Sequence, residues 1–261
     1  MEFALYLLLG AAAGVLAGLF GVGGGLIIVP ALVFSFTAQG VSTEVLTHLA
    51  VGTSLASIIF TSINSVIAHH KQGAVRWRLF QWLALGILGG SALGAITAAY
   101  IQGPTLQKII GGFAIIIALQ MALELKPKAS GSTPASPELT AAGGVIGWAS
   151  AIFGIGGGSL TVPYLAWRSV PMQQAVATSA ACGLPIAVAG AFMFAATGWH
   201  NPSLPDWSLG FIYLPALVGI AATSMFFARV GAQLAHRLSP VLLKRLFAVF
   251  LLCVGVSFFT L

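Results

Sequence analysis

The chain is 261 residues long, 58% hydrophobic and only 6% charged, with a mean hydropathy of +1.01. Soluble domains carry about a quarter charged residues, so an ordinary water-soluble fold is excluded and a bilayer, at about 20 apolar residues per crossing, is indicated. The net charge of +6 is no nucleic-acid signal, because the cations are scattered over short loops between apolar segments, where they orient a chain in a membrane.

The apolar segments run over 3–36, 45–68, 79–101, 107–125, 140–167, 172–198, 208–229 and 241–260. The first opens with MEFALYLLLGAAAG, which lacks the basic n-region of a cleaved signal peptide and reads as part of the membrane body. Its second half is broken by glycine: Gly10 to Leu32 reads GAAAGVLAGLFGVGGGLIIVPAL. The fifth segment repeats the pattern 133 residues later, where Gly143 to Leu165 reads GGVIGWASAIFGIGGGSLTVPYL, with 10 of 23 positions identical. Glycine-broken apolar segments at matching places in two halves of a chain are the strongest sequence pointer to a transporter binding site.

The second segment holds Ala50-Val51-Gly52-Thr53-Ser54, echoed in the sixth by Ala175-Val176-Ala177-Thr178-Ser179. Between the halves, KPKASGSTPASPE (126–138) is rich in Pro and Ser and reads as a linker. The expected organisation is therefore an N-terminal membrane repeat over 1–125, a cytoplasmic linker over 126–139 and a C-terminal membrane repeat over 140–261.

Charge suggests how the halves are oriented. His69, His70, Lys71, Arg76 and Arg78 crowd the loop after the second segment, whereas its counterpart, 199–206, has Asp206 and no Lys or Arg. The next pair reverses: 102–108 carries one cation, but 229–245 carries Arg229, Arg237, Lys244 and Arg245. Equivalent loops thus lie on opposite sides by the positive-inside rule. Inversion needs an odd number of crossings per half, which four segments give if the glycine-broken one enters and returns. The expected fold class is an all-α membrane protein of two inverted repeats, each opening with a re-entrant hairpin; eight full crossings with parallel halves is the alternative.

A glycine-rich break allows close backbone approach and leaves the first N–H groups of the following half-helix unpaired, an anion site. The candidate binding residues are Gly23, Gly24 and Gly25 with Gly156, Gly157, Gly158 and Ser159, the recurring Thr53, Ser54, Thr178 and Ser179, and the amide of Gln173. Gln174 is a second amide candidate. Gly10-x3-Gly14-x3-Gly18 and Gly86-x3-Gly90-x3-Gly94 read instead as close helix crossings. Thr47, Ser54, Ser57, Thr61 and Asn64 share one helix face, either as an oxyanion path or as interhelical hydrogen bonds. His48 either carries a coupling proton or is structural. The glycine run is no nucleotide loop, since Leu26 or Ser159 follows it rather than Lys-Ser/Thr.

No Asp or Glu sits mid-segment: Glu2, Glu44, Glu124, Glu138 and Asp206 all fall near ends or in loops. Cys182 and Cys253 have no partner at metal spacing, so no metal or cofactor is expected. A bound anion would be held by neutral N–H and O–H donors.

The paired G-x3-G-x3-[GA]-x-F-G-[VI]-G-G-G…V-P motifs, each followed by a Thr-Ser element, resemble the TauE/SafE-type sulfite exporter family over nearly the whole chain outside the linker. The resemblance implies a multi-pass permease of the bacterial inner membrane that moves sulfite, sulfoacetate or another sulfur-containing or organic anion, often outward. The expected partners are a small anion and the lipid bilayer, with no nucleic acid, and a homodimer is a state to test. The rivals are a passive anion channel, a carrier of a non-sulfur organic anion, an intramembrane serine hydrolase and a membrane assembly factor without substrate. The hydrolase reading is weakened because no G-x-S-x-G elbow and no mid-segment acid occur.

Overall fold

A computed structural model of the chain describes residues 2–20, 24–123, 135–235 and 240–260. Among them are ten helices: α1 (Glu2–Phe20), α2 (Gly25–Ala38), α3 (Thr43–Lys71), α4 (Trp77–Tyr100), α5 (Gly103–Ala122), α6 (Ser136–Phe153), α7 (Gly158–Trp167), α8 (Met172–Gly198), α9 (Leu214–Ala235) and α10 (Pro240–Thr260). Each glycine-broken segment resolves into two helices, because glycine runs are poor helix formers; Pro30 and Pro163 lie within the second helix of each pair. Four of the ten, α3, α4, α5 and α8, are long and apolar enough to cross a membrane among the described residues. The outer surface suits hydrocarbon: Phe192 is 71% exposed, Ile116 63% and Leu93 62%.

The expected linker ends in helix, since Ser136 to Leu139 form the first turn of α6 with Pro137 near its start. The rest of that linker, including Lys126 and Lys128, lies outside the described residues. The apolar stretch 208–213 is not helical, although its hydropathy predicts the opening of the seventh segment there. Gly210 has φ +55°, and Phe211 N–H bonds to Phe194 O at 3.1 Å. The stretch folds down onto the end of α8, and α9 starts only at Leu214.

Both glycine breaks reverse the chain. Tyr6 near the start of α1 donates to Gln39 just past α2, at 2.8 Å. Glu138 near the start of α6 receives Tyr164 and Arg168 from the end of α7. Each helix pair is thus a hairpin tied at its open end.

Glycine lets helices from opposite halves cross almost backbone to backbone. A Cβ added to Gly147 of α6 would lie 2.6 Å from Ile87 O of α4, and one on Gly14 of α1 would lie 2.7 Å from Ser224 O of α9. Gly86, Gly90 and Gly94 face Thr140, Gly144 and Trp148 in the same α4·α6 crossing, in parallel order. Helices α3 and α8 run antiparallel: Gly183 faces Ser62, Gly190 faces Leu55 and Gly52 faces Phe194. The expected crossings through Gly86, Gly90, Gly94, Gly10 and Gly14 are therefore present.

Gly90→Leu should drive a side chain into the Gly144 backbone and lower stability by about 3 kcal/mol. Gly89→Leu, next to it but facing open space, should change stability by no more than about 0.5 kcal/mol. Unfolding midpoints in detergent, followed by size exclusion, measure both.

Candidate anion site

The two breaks meet in the interior. Gly25, the first residue of α2, presses on the other half: a Cβ there would lie 2.6 Å from Ile155 Cα and against Gly154 O. Ser54 of α3 donates to the same Gly154 O at 2.9 Å. Gly154 has φ +65° and ends α6; its N–H bonds to Ala151 O at 3.3 Å and that of Ile155 to Ser150 O at 3.0 Å. This left-handed cap pairs the carbonyls of Ser150 and Ala151, while those of Ile152 and Phe153 receive no backbone N–H among the described residues.

The start of α7 has no comparable cap. Thr161 N–H bonds to Gly157 O at 2.8 Å, the first hydrogen bond of that helix. The N–H groups of Gly156, Gly157, Gly158, Ser159 and Leu160 have no acceptor among the described residues. Gly156 and Gly157 are buried, and a Cβ on Gly157 would lie 2.5 Å from Ser179 O and 3.1 Å from Gly183 N of α8. The buried Ser159 hydroxyl also lacks a partner, as do those of Ser150 and Thr161, two fully buried residues flanking the break. Four of these five, Gly157 to Leu160, are the free N–H groups that any helix start leaves; the surplus here is the fifth, at Gly156, together with the burial of Gly156 and Gly157. At the N-terminus of a helix that surplus fits an anion.

The matching turn of the first half is apolar. Leu26, Ile27 and Ile28 stand where Ser159, Leu160 and Thr161 stand in α7, and Gly25, Leu26, Val29, Pro30, Phe113, Phe153 and others line an apolar pocket there. Gly24 is the N-cap residue of α2; Gly23 lies outside the described residues.

The threonines of the Thr-Ser elements act as fasteners between the halves. Thr53 Oγ1 accepts from Tyr213 N–H at 2.9 Å, just before α9, and Thr178 Oγ1 accepts from Arg76 N–H at 3.0 Å, just before α4. Ser179 Oγ bonds within its own helix to Val176 O, at 2.9 Å, while its carbonyl backs Gly157. Of the α3 polar face, Ser57, Thr61 and Asn64 bond back to carbonyls of their own helix, and Thr47 reaches Gln107 at 3.5 Å. Gln173 is exposed at the start of α8 and is not brought to the glycine turn; Gln174 accepts from Arg76 Nε at 2.7 Å.

His48 also stands apart. Its Nε2 lies 3.0 Å from both Ala98 O and Ile101 O at the end of α4, and its ring stacks on Phe211 at 5.0 Å. Two carbonyls require Nε2 to carry the hydrogen. A coupling role would rest on Nδ1, which is buried without a partner. No cluster of His, Cys, Asp or Glu that could hold a metal occurs among the described residues.

Sequence reasoning missed Ser150 and Thr161, which have no echo in the first half. It also missed Ser91 and Ser224, buried, unpartnered and set at the α4·α6 and α1·α9 crossings, against Gly147 and Gly14. These two were findable, since Gly86/Gly219, Ile87/Ile220 and Ser91/Ser224 repeat at the 133-residue shift of the glycine motifs.

The profile of the sulfite exporter TauE/SafE family matches residues 6–258. A "probable membrane transporter protein" of Haemophilus influenzae is 40% identical over 256 residues, covering 98% of this chain and 97% of that protein. The probable membrane transporter protein MJ0441 of Methanocaldococcus jannaschii is 29% identical over 90% of this chain and 87% of its own. YunE of Bacillus subtilis, named likewise, is 32% identical over 69% and 73%. No solved structure matches the chain.

Thr53→Val and Thr178→Val should each leave a loop N–H unpaired and cost about 2 kcal/mol of stability. The losses should add in the double variant, because the two fasteners join different loops to different helices. Unfolding midpoints of the three variants check this.

Proposed function

The chain belongs to the sulfite exporter TauE/SafE family, and from that premise we propose that it is a secondary transporter that exports a small sulfur-containing anion, sulfite or an organosulfonate such as sulfoacetate. The proposed location is the bacterial inner membrane. The observation that carries the anion reading is the run of five N–H groups, Gly156 to Leu160, with the Ser159 hydroxyl beside them and no acceptor for any of them among the described residues. Ser54 and Ser179 back this turn rather than form its donor face, and Thr53 and Thr178 are spent on the loops before α9 and α4.

Alternating access requires two halves that move against each other around the site. An inverted repeat is supported by the antiparallel course of α3 and α8 and by the matched pairs α4·α6 and α1·α9. Re-entrant hairpins are supported by length: the 14 residues of α2 and 10 of α7 reach about 21 and 15 Å, short of a hydrocarbon core of about 30 Å. Each half then crosses with its last three helices. The end bearing His69, His70, Lys71, Arg76, Arg78 and Arg168 is cytoplasmic by the positive-inside rule.

Cysteines introduced at Gln72 and Ser203, with Cys182 and Cys253 removed, should react with an impermeant reagent from opposite faces of the membrane. Labelling of both from one face sinks the inverted topology. Counterflow of labelled sulfite in proteoliposomes, competed by sulfoacetate, taurine, sulfate and acetate, tests the function itself. Saturable exchange is expected. Gly157→Leu should abolish it, and Ser159→Ala should lower apparent affinity roughly tenfold, the worth of one hydrogen bond to a charged group.

A further inference from the structure

We propose that Arg76 captures the anion at one mouth of the carrier and delivers it to the glycine turn, so that apparent affinity is higher from that face than from the other. The assignment rests on the anion-carrier reading above. Five basic side chains, His69, His70, Lys71, Arg76 and Arg78, belong to the α3–α4 connection. Among them, Arg76 is bonded to α8: its backbone N–H to Thr178 Oγ1 at 3.0 Å and its Nε to Gln174 Oε1 at 2.7 Å. The glycine turn is packed on that same helix, with Gly157 against Ser179, Cys182 and Gly183. From Thr178 to Gly183 is five residues, or about 8 Å of helix.

The guanidinium is exposed and has no carboxylate within 4 Å among the described residues, unlike Arg168, which is paired with Glu138. Binding Gln174 through Nε leaves its terminal N–H groups free for an oxyanion. Beside Arg76, Ala74 and Val75 of the loop pack with Ala177 and Ala181 of α8 and with Val66 and Phe80 in a small apolar cluster.

Among the described residues the opposite mouth has no cation bonded in this way. There Tyr213 takes the place of Arg76, its N–H held by Thr53 as that of Arg76 is held by Thr178. The connection 199–213 contains His200 and Asp206 but no Lys or Arg, although Lys108 on α5 is exposed toward the same end. One mouth therefore presents a cation bonded to the helix that carries the donor turn, and the other presents Tyr213 at the matching place, with Asp206 and Lys108 nearby but bonded to neither threonine element. The difference acts on capture and apparent affinity at one face; net direction stays with the gradients.

The test is saturable uptake of sulfite and of sulfoacetate into proteoliposomes, with molecules of each orientation silenced in turn through an impermeant reagent at Gln72→Cys. Absence of saturable uptake by the otherwise unaltered protein overturns the carrier reading and the role of Arg76 with it. With uptake present, Arg76→Gln should raise the half-saturating concentration about fivefold from the Gln72 face and leave the other face unchanged. Arg76→Lys should restore most of the affinity, and Arg78→Gln, which removes the same charge two residues away, should have less than half the effect. An equal shift at both faces, no shift, or equal shifts for Arg76→Gln and Arg78→Gln in monodisperse protein overturns the assignment while the carrier reading stands.

Discussion

Backbone that leaves the helix at membrane depth must either find partners for its own N–H and C=O groups or be walled off from lipid. The turn at 154–157 is governed by that constraint. On its acceptor side the carbonyls of Ser150 and Ala151 take the N–H groups of Gly154 and Ile155, Gly154 O takes the Ser54 hydroxyl from the other half, and the carbonyls of Ile152, Phe153, Ile155 and Gly156 receive no N–H among the described residues. Its donor side is open over five consecutive residues. The turn thus carries free backbone donors at the start of α7 and free carbonyls just before it, within a protein whose glycines hold it away from lipid on one side through α8 and on the other through α2 and α3.

Much of the surrounding architecture can be understood as the support that keeps that wall in place. Helices α4 and α6, and α1 and α9, approach so closely that no Cβ fits at Gly147 or Gly14, which makes the crossings stiff and leaves little room for register slip. Thr53 and Thr178 then fix where α9 and α4 begin, each by receiving an N–H from the opposite half. A hydroxyl spent on such a bond is unavailable to a ligand as acceptor. A transported anion needs donors, though, so the two uses do not compete. The hairpins are closed differently at their open ends, one through the neutral Tyr6–Gln39 bond and one through the Glu138–Arg168 ion pair with Tyr164.

The helical class, the membrane setting and the places where glycine interrupts the helices were legible in the sequence, because hydropathy and small-residue spacing act locally. Helix phase was enough to find the crossings through Gly86 and Gly10. It was not enough to tell that Gln173 points outward at the start of α8 while Gln174 meets Arg76, since that depends on which helix lies alongside. Apolar content misread 208–213, where hydrophobic side chains serve a loop packed on α8 and His48 rather than a helix. The roles of Thr53 and Thr178 were hidden for the same reason. Their partners, Tyr213 and Arg76, lie more than 100 residues away along the chain, and only the fold brings them together.

Duplication would supply two equivalent glycine turns, yet the two are not chemically equivalent. The first opens α2 with Leu26-Ile27-Ile28 and an apolar pocket; the second opens α7 with Ser159-Leu160-Thr161 and unpaired hydroxyls. For a carrier this division is advantageous. Hydrogen bonds to a charged group contribute about 1.5–3 kcal/mol each, while moving an ion out of water costs several kcal/mol. Three or four neutral donors from one turn bring these terms close to balance. Two polar turns closing on the same ion would tip the balance toward retention, and an ion that is retained cannot be released on the far side. In a carrier whose ion sat at the second turn, an apolar first turn packed beside it would keep water out without adding further attraction, which is the energetic profile that turnover demands.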